Sequence, residues 1–439
     1  MASAPTFLKS NFKKTLKLAW RNFGIRQAVL EHRLQKNLRD WKRLRSAVPV
    51  APTQDSMLLI PSDPYLLTSS VGDQAMIGSI LGYWREKLPD HDLFVATASE
   101  PADVAARELG GEPLRMMGEA LSIPEVAEQI ALHQFRVAVL MGADVIDGSY
   151  DPSFSGEQVM TLDLAARSGA DCYITGSSIS KTFHPTLAEI FAEIDPDIRV
   201  NLRDPLSKER FEAKSGRDAN LVADVAFLLE PDPTQRVQGL LDEIHAEQKK
   251  GRSVIAVNVH PLLLELEKRE HLPELLDALA KVLIKLAASK DVTYLLLSHD
   301  TRGSSSDRLG LEPLYDLLKP ELDDRILFPR QQLKAAEIKA VVQELDMVLS
   351  GRMHLMIASL GGGTPVFGID YKDKMEGLLM LLGLKADSLV TAAELIADPD
   401  ACADQMTHFL EALPKEREKI AAQLDHIHDL SLQNFEDVE

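Results

Sequence analysis

Short apolar segments alternate with helical patterns along most of this chain of 439 residues. The alternation constrains the fold, because two successive parallel strands must be joined by a crossover connection, which is usually a helix. A chain of this length is also too long for one compact core. We therefore predict an α/β protein with two or more domains.

Pro231-Asp232-Pro233 interrupts the alternation and divides it into two series. The predicted strands are Met57–Ile60, Leu93–Ala96, Arg136–Leu140, Cys172–Thr175 and Ile198–Leu202 before it, and Ser253–Val259, Thr293–Ser298, Arg325–Phe328, Met347–Leu349 and Pro365–Ile369 after it. The helical patterns between them cover Ala75–Tyr83, Pro101–Leu109, Ile123–Leu132, Thr186–Glu193, Leu206–Ala213, Leu262–Ser289, Leu311–Leu318 and Ala335–Glu344.

Two parallel sheets of similar size, joined by a short linker, imply a ligand cleft between them. The predicted fold class is α/β, with two Rossmann-like parallel-sheet domains facing a cleft, as in glycosyltransferases of the GT-B type. Four parts follow in order: a basic amphipathic helical arm (1–50), an N-terminal Rossmann-like domain (51–232), a C-terminal Rossmann-like domain (233–390) and C-terminal helices (391–439).

The charge of the chain is distributed unevenly. Residues 1–50 hold 12 lysines and arginines against Glu31 and Asp40, whereas the rest carries 36 basic and 65 acidic residues. The acidic body argues against a nucleic-acid partner. Apolar residues recur in the arm at three- and four-residue steps, which predicts an amphipathic helix. Such a helix could lie on an anionic membrane surface, or it could dock on the acidic body of the same protein or of another subunit.

Cysteine content and hydropathy indicate the compartment. Cys172 and Cys402 form neither a disulfide framework nor a metal-ligand pattern, so we expect a reducing compartment and no metal. No apolar run is long enough to span a membrane, and no signal-peptide pattern is present. We expect a cytoplasmic protein; the arm leaves open a peripheral position at the inner face of the membrane, and a homo-oligomer is equally open.

Basic residues follow several of the predicted strands. Arg203 follows Ile198–Leu202, Arg352 and His354 follow Met347–Leu349, and Lys374 comes after the last strand. Residues at the carboxyl ends of parallel strands face the ligand crevice, so these groups predict a receptor for an anionic substrate. In a regular helix Arg352 and His354 would point about 200° apart. They can share a ligand only if Arg352 still lies in the turn.

Polar residues at other loops are further candidates. Gly72 and Asp73 open a helix, where Asp73 could cap the helix or deprotonate an acceptor hydroxyl. Asn258 and His299 lie at strand ends and could equally be satisfied loop groups. Asp144 lies in a glycine-containing loop that could contact a sugar or form a turn.

The chain resembles the polysaccharide pyruvyl transferase family over roughly residues 55–385. The most specific segment is Asp346-Met347-Val348-Leu349-Ser350-Gly351-Arg352-Met353-His354 with Lys374 downstream, and weaker similarities are Gly72-Asp73, Val200–Asp204 and Ala223–Phe227. The family's first loop differs, since Ser69–Gln74 replaces its usual glycine-asparagine pattern, and Met141–Asp144 replaces its second glycine-rich loop.

The resemblance implies transfer of the pyruvyl group of phosphoenolpyruvate onto two hydroxyls of a glycan sugar, with no cofactor. The implied phosphoenolpyruvate-binding residues are Arg203, Arg352, Met353, His354 and Lys374; His354 and Asp73 are the candidate general acid and base; and the acceptor-binding candidates are Gly72, Asp73, Asp144, Asn258 and His299. The implied partners are phosphoenolpyruvate and a glycan or lipid-linked sugar. A glycosyltransferase using a nucleotide sugar on the same scaffold, and a non-catalytic glycan-binding member, are the alternatives.

Overall fold

The structure is a computed structural model that describes residues 28–48, 50, 53–118, 121–264, 266–370 and 374–436. Its framework is two β-sheets, one of seven strands and one of six. The strands of both sheets pair in parallel, with helices between successive strands. The prediction of two Rossmann-like parallel-sheet domains is confirmed.

The first sheet has the strand order β3-β2-β1-β4-β5-β6-β7. Its strands are β1 (Gln54–Ile60), β2 (Asp92–Thr97), β3 (Glu112–Arg115), β4 (Phe135–Leu140), β5 (Asp171–Ser177), β6 (Arg199–Leu202) and β7 (Asn220–Leu221). The helices between them are α2 (Val71–Lys87), α3 (Glu100–Glu108), α4 (Ile123–His133), α5 (Pro152–Ser168), α6 (Pro185–Glu193) and α7 (Pro205–Ser215). The order reverses between β1 and β4, which opens a crevice at their carboxyl ends.

The second sheet has the order β10-β9-β8-β11-β12-β13 and reverses between β8 and β11. Its strands are β8 (Ser253–Asn258), β9 (Val292–Leu296), β10 (Ile326–Leu327), β11 (Met347–Ser350), β12 (Val366–Asp370) and β13 (Leu389–Thr391). The helices are α8 (Gln235–Lys249), α9 (Leu272–Ser289), α10 (Arg308–Leu322), α11 (Ala335–Gln343), α12 (Met353–Gly361) and α13 (Lys374–Leu381).

The central strands are buried on both faces. Leu58, Leu59 and Ile60 of β1 are 0% exposed, as are residues 254–257 of β8. A parallel sheet covered by helices on both faces requires such continuous apolar runs. This is why the central strands could be predicted from the sequence.

One predicted helix is wrong in its first part. The pattern predicts a helix over Leu262–Ser289, but the structure has 3₁₀ turns at Pro261–Leu263 and Leu266–His271, and α9 begins only at Leu272. Pro273 explains the late start, because proline is favoured in the first turn of a helix and disfavoured in its interior.

The C-terminal helices return from the second domain to the first. The chain continues through α14 (Ala392–Ala397) and α15 (Pro399–Ala421) to α16 (Leu424–Leu432). Beyond α16, the Asn434 side chain accepts from Gly176 N and donates to Ala223 O at 2.7 and 2.8 Å. The predicted linker, residues 231–233, lies between β7 and α8.

The described part of the basic arm is a helix, α1, at residues 28–44, and it docks on the first domain. Leu34 and Trp41 are fully buried there, and Trp41 Nε1 donates to Asp163 at 2.7 Å. Arg33 forms an ion pair with Glu157 at 2.6 Å. Docking on the protein's own acidic body was one of the two predicted alternatives. The arm's first 27 residues lie outside the described residues.

None of the described helices combines the length and the apolar character that crossing a bilayer requires.

Candidate functional site

A cleft of about 420 Å³ lies between the carboxyl ends of the two sheets. Loops after β1, β4 and β6 form its first wall, and loops after β9 and β11 with the start of α13 form the other. The charged and histidine side chains that line it are Asp63, Asp73, Asp144, Asp151, Arg203, His299, Asp300, Arg302, Arg352, His354 and Lys374. Together with Met353, these side chains include eight of the ten candidates named from the sequence; Gly72 and Asn258 are the two that do not line the cleft.

Arg352 lies in the turn before α12, as sharing a ligand with His354 requires. Its backbone is extended, with φ −107° and ψ 121°, and it is the N-cap of the helix. The Ser350 hydroxyl accepts from Arg352 N at 2.9 Å and donates to Arg352 O at 3.0 Å, which fixes the turn. Met353 and His354 then occupy the first helical turn, where backbone N–H groups favour an anion.

Arg352 is held from behind by a buried carboxylate. Its Nε and Nη2 donate to Asp307 Oδ1 at 2.9 and 2.7 Å. Asp307 also accepts from the Asn258 side chain and from the backbone of His299 and Asp300. Asn258 thus binds this carboxylate and does not line the cleft.

Arg203 and His354 come from different domains and meet at one carboxylate. Arg203 Nη1 donates to Asp224 Oδ2 at 2.6 Å, and His354 Nε2 lies 3.5 Å from the same oxygen. Burial alone would raise the pKa of Asp224, but Arg203 and His354 outweigh it and hold that pKa well below its usual range. Arg203 Nε also donates to Ser178 at 2.8 Å.

Lys374, at the start of α13, crosses the cleft to the first domain. It forms an ion pair with Asp144, which also accepts from the Tyr150 hydroxyl at 3.0 Å. Burial tends to raise the pKa of Asp144, but Lys374 and Arg203 lower it well below its usual range. The Asp144 loop is therefore tied to the second domain.

Gly72 and Asp73 lie at the start of α2, against His354. A Cβ on Gly72 would stand 2.5 Å from His354 Nδ1, so only glycine allows this approach. Asp73 accepts from Ser62 Oγ at 2.8 Å. Burial raises the pKa of Asp73 to about 6, although Ser62 and Arg302 oppose the rise. A carboxyl that titrates near neutral pH can act as a general base.

Arg302 was not predicted from the sequence. Its side chain binds Asp300 at 2.9 Å and reaches across the cleft, to within 3.6 Å of Asp63 and 3.8 Å of Asp73. Its position four residues after the predicted strand Thr293–Ser298 was the available signal. Asp224 and Asp307 are buried behind the cleft, and their roles could not be read from sequence spacing.

His299 lies in the cleft wall but differs from His354 in charge. Burial and the neighbouring His354 and Arg352 lower its pKa well below the ordinary value, so the ring is neutral at pH 7. It makes no side-chain hydrogen bond to the residues that the structure describes. A neutral imidazole here can accept from or donate to a substrate hydroxyl.

The charges of the cleft are balanced internally, which differs from the bare cationic receptor that the sequence suggested. Each of Arg203, Arg302, Arg352 and Lys374 contacts at least one carboxylate. An anionic substrate must therefore share these cations with carboxylates. Within the described ranges, no group of three or more His, Cys, Asp or Glu side chains is arranged to hold a metal ion.

Comparisons with solved structures show where this fold recurs. A putative UDP-N-acetylglucosamine 2-epimerase from Listeria monocytogenes is similar over 88% of this chain and 98% of its own, with a TM-score of 0.54 and 12% identity. The UDP-GlcNAc 2-epimerase of Neisseria meningitidis, bound to UDP-GlcNAc, is similar over 86% of this chain and 97% of its own, with a TM-score of 0.53 and 12% identity. A glycosyltransferase from Rickettsia africae is similar over 87% of this chain and 99% of its own, with a TM-score of 0.50 and 11% identity. At such identities the likeness shows the GT-B-like fold alone.

The sequence itself matches a protein family over a range that includes the loops of the site. No curated protein matches the chain significantly. The polysaccharide pyruvyl transferase family, however, matches residues 71–373, which include the start of α2, Arg203, Asp224 and the Arg352–His354 turn. This match covers more than half of the chain, and the chain belongs to the polysaccharide pyruvyl transferase family.

Proposed function

We propose that this protein transfers the pyruvyl group of phosphoenolpyruvate onto two hydroxyls of a glycan sugar, forming a pyruvate ketal and releasing phosphate. The observation that carries the proposal is the convergence of Arg203, Arg352, His354 and Lys374 on one cleft. Phosphoenolpyruvate carries a carboxylate and a phosphate, and each suits a guanidinium fork or a helix N-terminus. Family membership supports the transferase reaction.

The donor would bind at the second-domain wall. Arg352 and the first-turn N–H groups of Met353 and His354 would bind one anionic group of the donor, and Arg203 would face that group from the first domain. Asp224 and Asp307 already neutralise the two arginines. The donor would therefore bind N–H groups of the guanidinium ions that make no hydrogen bond to the residues described by the structure. A cleft partly shielded from water strengthens these contacts.

The reaction that we propose has three steps. A base removes the proton of one sugar hydroxyl while its oxygen bonds to C2 of phosphoenolpyruvate, and His354 gives a proton to C3, which becomes a methyl group. The bond from C2 to the phosphate oxygen then breaks, and the arginines stabilise the leaving phosphate. A second hydroxyl bonds to C2 and gives its proton to the phosphate. Asp73, with a pKa of about 6, suits the base for the first hydroxyl.

The acceptor would approach from the first-domain wall. Gly72, Asp73 and Asp144 lie there, and His299 faces them from the second domain. Tyr150 is half-exposed beside Asp144 and offers an aromatic face for a sugar ring. A glycan or lipid-linked sugar is the proposed acceptor, and residues 1–27 would bring the protein to the inner face of an anionic membrane.

Thermal unfolding tests the donor. A ligand that binds only the folded protein stabilises it by about 2.7 kcal/mol at a hundredfold excess over its Kd. Phosphoenolpyruvate should raise the unfolding midpoint of the wild type and should have a smaller effect on Arg352→Lys, which lacks the guanidinium fork. Inorganic phosphate and UDP-GlcNAc are the comparison ligands. A shift with UDP-GlcNAc and none with phosphoenolpyruvate would favour the nucleotide-sugar alternative.

A further inference from the structure

Asp224 lies between two groups that the proposed reaction uses. Its side chain is 1% exposed, and Oδ2 faces both Arg203 Nη1 and His354 Nε2. Its other oxygen, Oδ1, accepts the backbone N–H of Ala226 at 2.9 Å. The carboxylate is therefore fixed at one end by the backbone and directs its second oxygen at the two cations.

The His354 ring is held between Asp224 and the start of α2. Nε2 is fully buried and makes no hydrogen bond within the described part of the chain, and Asp224 Oδ2 is its charged neighbour at 3.5 Å. Nδ1 lies at the opposite edge, beside Gly72. The side chain is nevertheless 18% exposed, and its exposed atoms do not include Nε2.

We propose that Asp224 is a positioning residue that holds His354 through Nε2–H and leaves Nδ1 as the atom that gives the proton to the donor. The inference rests on the proposed function. An ionised carboxylate can only accept hydrogen bonds, so it places a proton on the nitrogen that it faces. The 3.5 Å separation would shorten when substrate binds, as separations between catalytic groups in free enzymes often do.

The proton count follows from this arrangement. The protonated ring carries N–H at both nitrogens. During transfer the Nδ1–H bond breaks as the C–H bond forms at C3 of phosphoenolpyruvate. The ring that remains is the neutral Nε2–H tautomer, which is the form that Asp224 favours. Asp224 itself stays ionised throughout, as expected for a carboxylate next to Arg203.

Asp224→Asn tests the role of the carboxylate. In this variant the Ala226 N–H should still donate to the oxygen of the side-chain amide at position 224. The amide nitrogen must then face Arg203 and His354. An N–H group at that position donates to Nε2, and the ring proton of neutral His354 must then move to Nδ1. Nitrogen-15 NMR of histidine-labelled protein, with His354 assigned from His354→Gln, should show the Nε2–H tautomer in wild type and the Nδ1–H tautomer in Asp224→Asn.

Asp204→Asn is the matched control. Asp204 is equally buried and adjoins Arg203, but its carboxylate caps α7 by accepting from Ser207 N at 2.8 Å. This variant should keep the Nε2–H tautomer. The Nδ1–H tautomer in the wild type would overturn the inference without any variant, so the test survives if Asp224→Asn does not fold. An unchanged tautomer in folded Asp224→Asn would also overturn it.

The two proposals can fail separately. The tautomer is measured without phosphoenolpyruvate, so absence of donor binding would contradict the proposed function and leave this measurement unaffected. The wrong tautomer, with normal stabilisation by phosphoenolpyruvate, would contradict the role of Asp224 alone.

Discussion

Arg352 makes its shortest carboxylate contact with Asp307, at 2.7 Å, and its Nη1 lies 3.6 Å from Asp300. Removing one partner of a buried pair leaves the other charge uncompensated, which commonly costs about 3–5 kcal/mol. Asp307 therefore stabilises Arg352 in an orientation that a water-exposed arginine would not keep. The arginine that we propose to bind the donor thus depends on Asp307, which does not line the cleft.

The close contact between Gly72 and His354 predicts the effect of adding a single methyl group at position 72. Gly72→Ala would place a methyl group 2.5 Å from His354 Nδ1, so the ring must leave Asp224 or α2 must shift. Overpacking of this kind costs roughly 1–3 kcal/mol. We expect a lower free energy of unfolding in urea and a reduced shift of the thermal midpoint with phosphoenolpyruvate.

Gly82→Ala is the control for Gly72→Ala. Gly82 lies in the same helix, α2, and a Cβ there would have no neighbour within 4 Å. Alanine should stabilise this exposed position by up to about 1 kcal/mol through helix propensity. If Gly72→Ala were as stable as Gly82→Ala and kept its response to phosphoenolpyruvate, His354 would not need the space.

Residue-level prediction from the sequence identified three of the four cleft cations and missed the pairing of Arg203 with Asp224 and of Arg352 with Asp307. Arg203, Arg352 and Lys374 could be found because each comes soon after a predicted strand. Asp307 could not, since it reaches Arg352 across 45 residues of sequence through the loop after β9. Long-range pairing of charges depends on the packed sheets, which strand patterns alone do not determine.

At the scale of elements, the arm consists of a docked helix and a preceding basic segment. Residues 28–44 form α1, whose Lys42 pairs with Glu189 and Glu193 at 2.7 and 2.8 Å. Burial of Leu34 and Trp41 shows that this helix belongs to the first domain. The membrane role that we propose would therefore rest on residues 1–27, which carry six lysines and arginines and no acidic residue.

Deleting residues 1–27 tests that role without exposing the α1 docking face. Each Lys or Arg near an anionic bilayer contributes about 1 kcal/mol of binding. The full chain should sediment with phosphatidylglycerol vesicles and remain in solution with phosphatidylcholine vesicles, whereas the shortened chain should remain in solution with both. Equal sedimentation of the two chains would refute a membrane role for the segment.

Elements were predictable where burial on both faces gave long apolar runs. The edge strands β3, β7 and β13 were missed, since they have only four, two and three residues. Helix α5 was also missed, although it is buried almost throughout. Its sequence, with Ser, Gly, Glu and Gln at buried positions, lacks the apolar stripe by which a surface helix is recognised.

At the scale of the whole molecule, the two domains share one apolar cluster. It contains Trp84 and Val225 of the first domain together with Val348 and Leu360 of the second. Phe435, after α16, stacks on Tyr83 with ring centroids 4.1 Å apart. The second domain is thus joined to the first by the linker and by the returning C-terminus. We expect the two domains to unfold as one unit.

If the domains unfold together, the free energy of unfolding of the whole protein should depend on the titration of Asp73 in the cleft. Its pKa rises from 3.8 to about 6 on folding, so the folded protein binds this proton more tightly than the unfolded chain. The contribution is fully present below pH 4 and is lost as pH rises through 6. Asp73→Asn should therefore exceed wild type in unfolding free energy by about 1–3 kcal/mol at pH 8, and by little at pH 4. Urea unfolding at both values measures this. Asp103→Asn should show the opposite sign, because Arg115 lowers the pKa of Asp103. A difference for Asp73→Asn that does not grow with pH would show that folding does not desolvate Asp73.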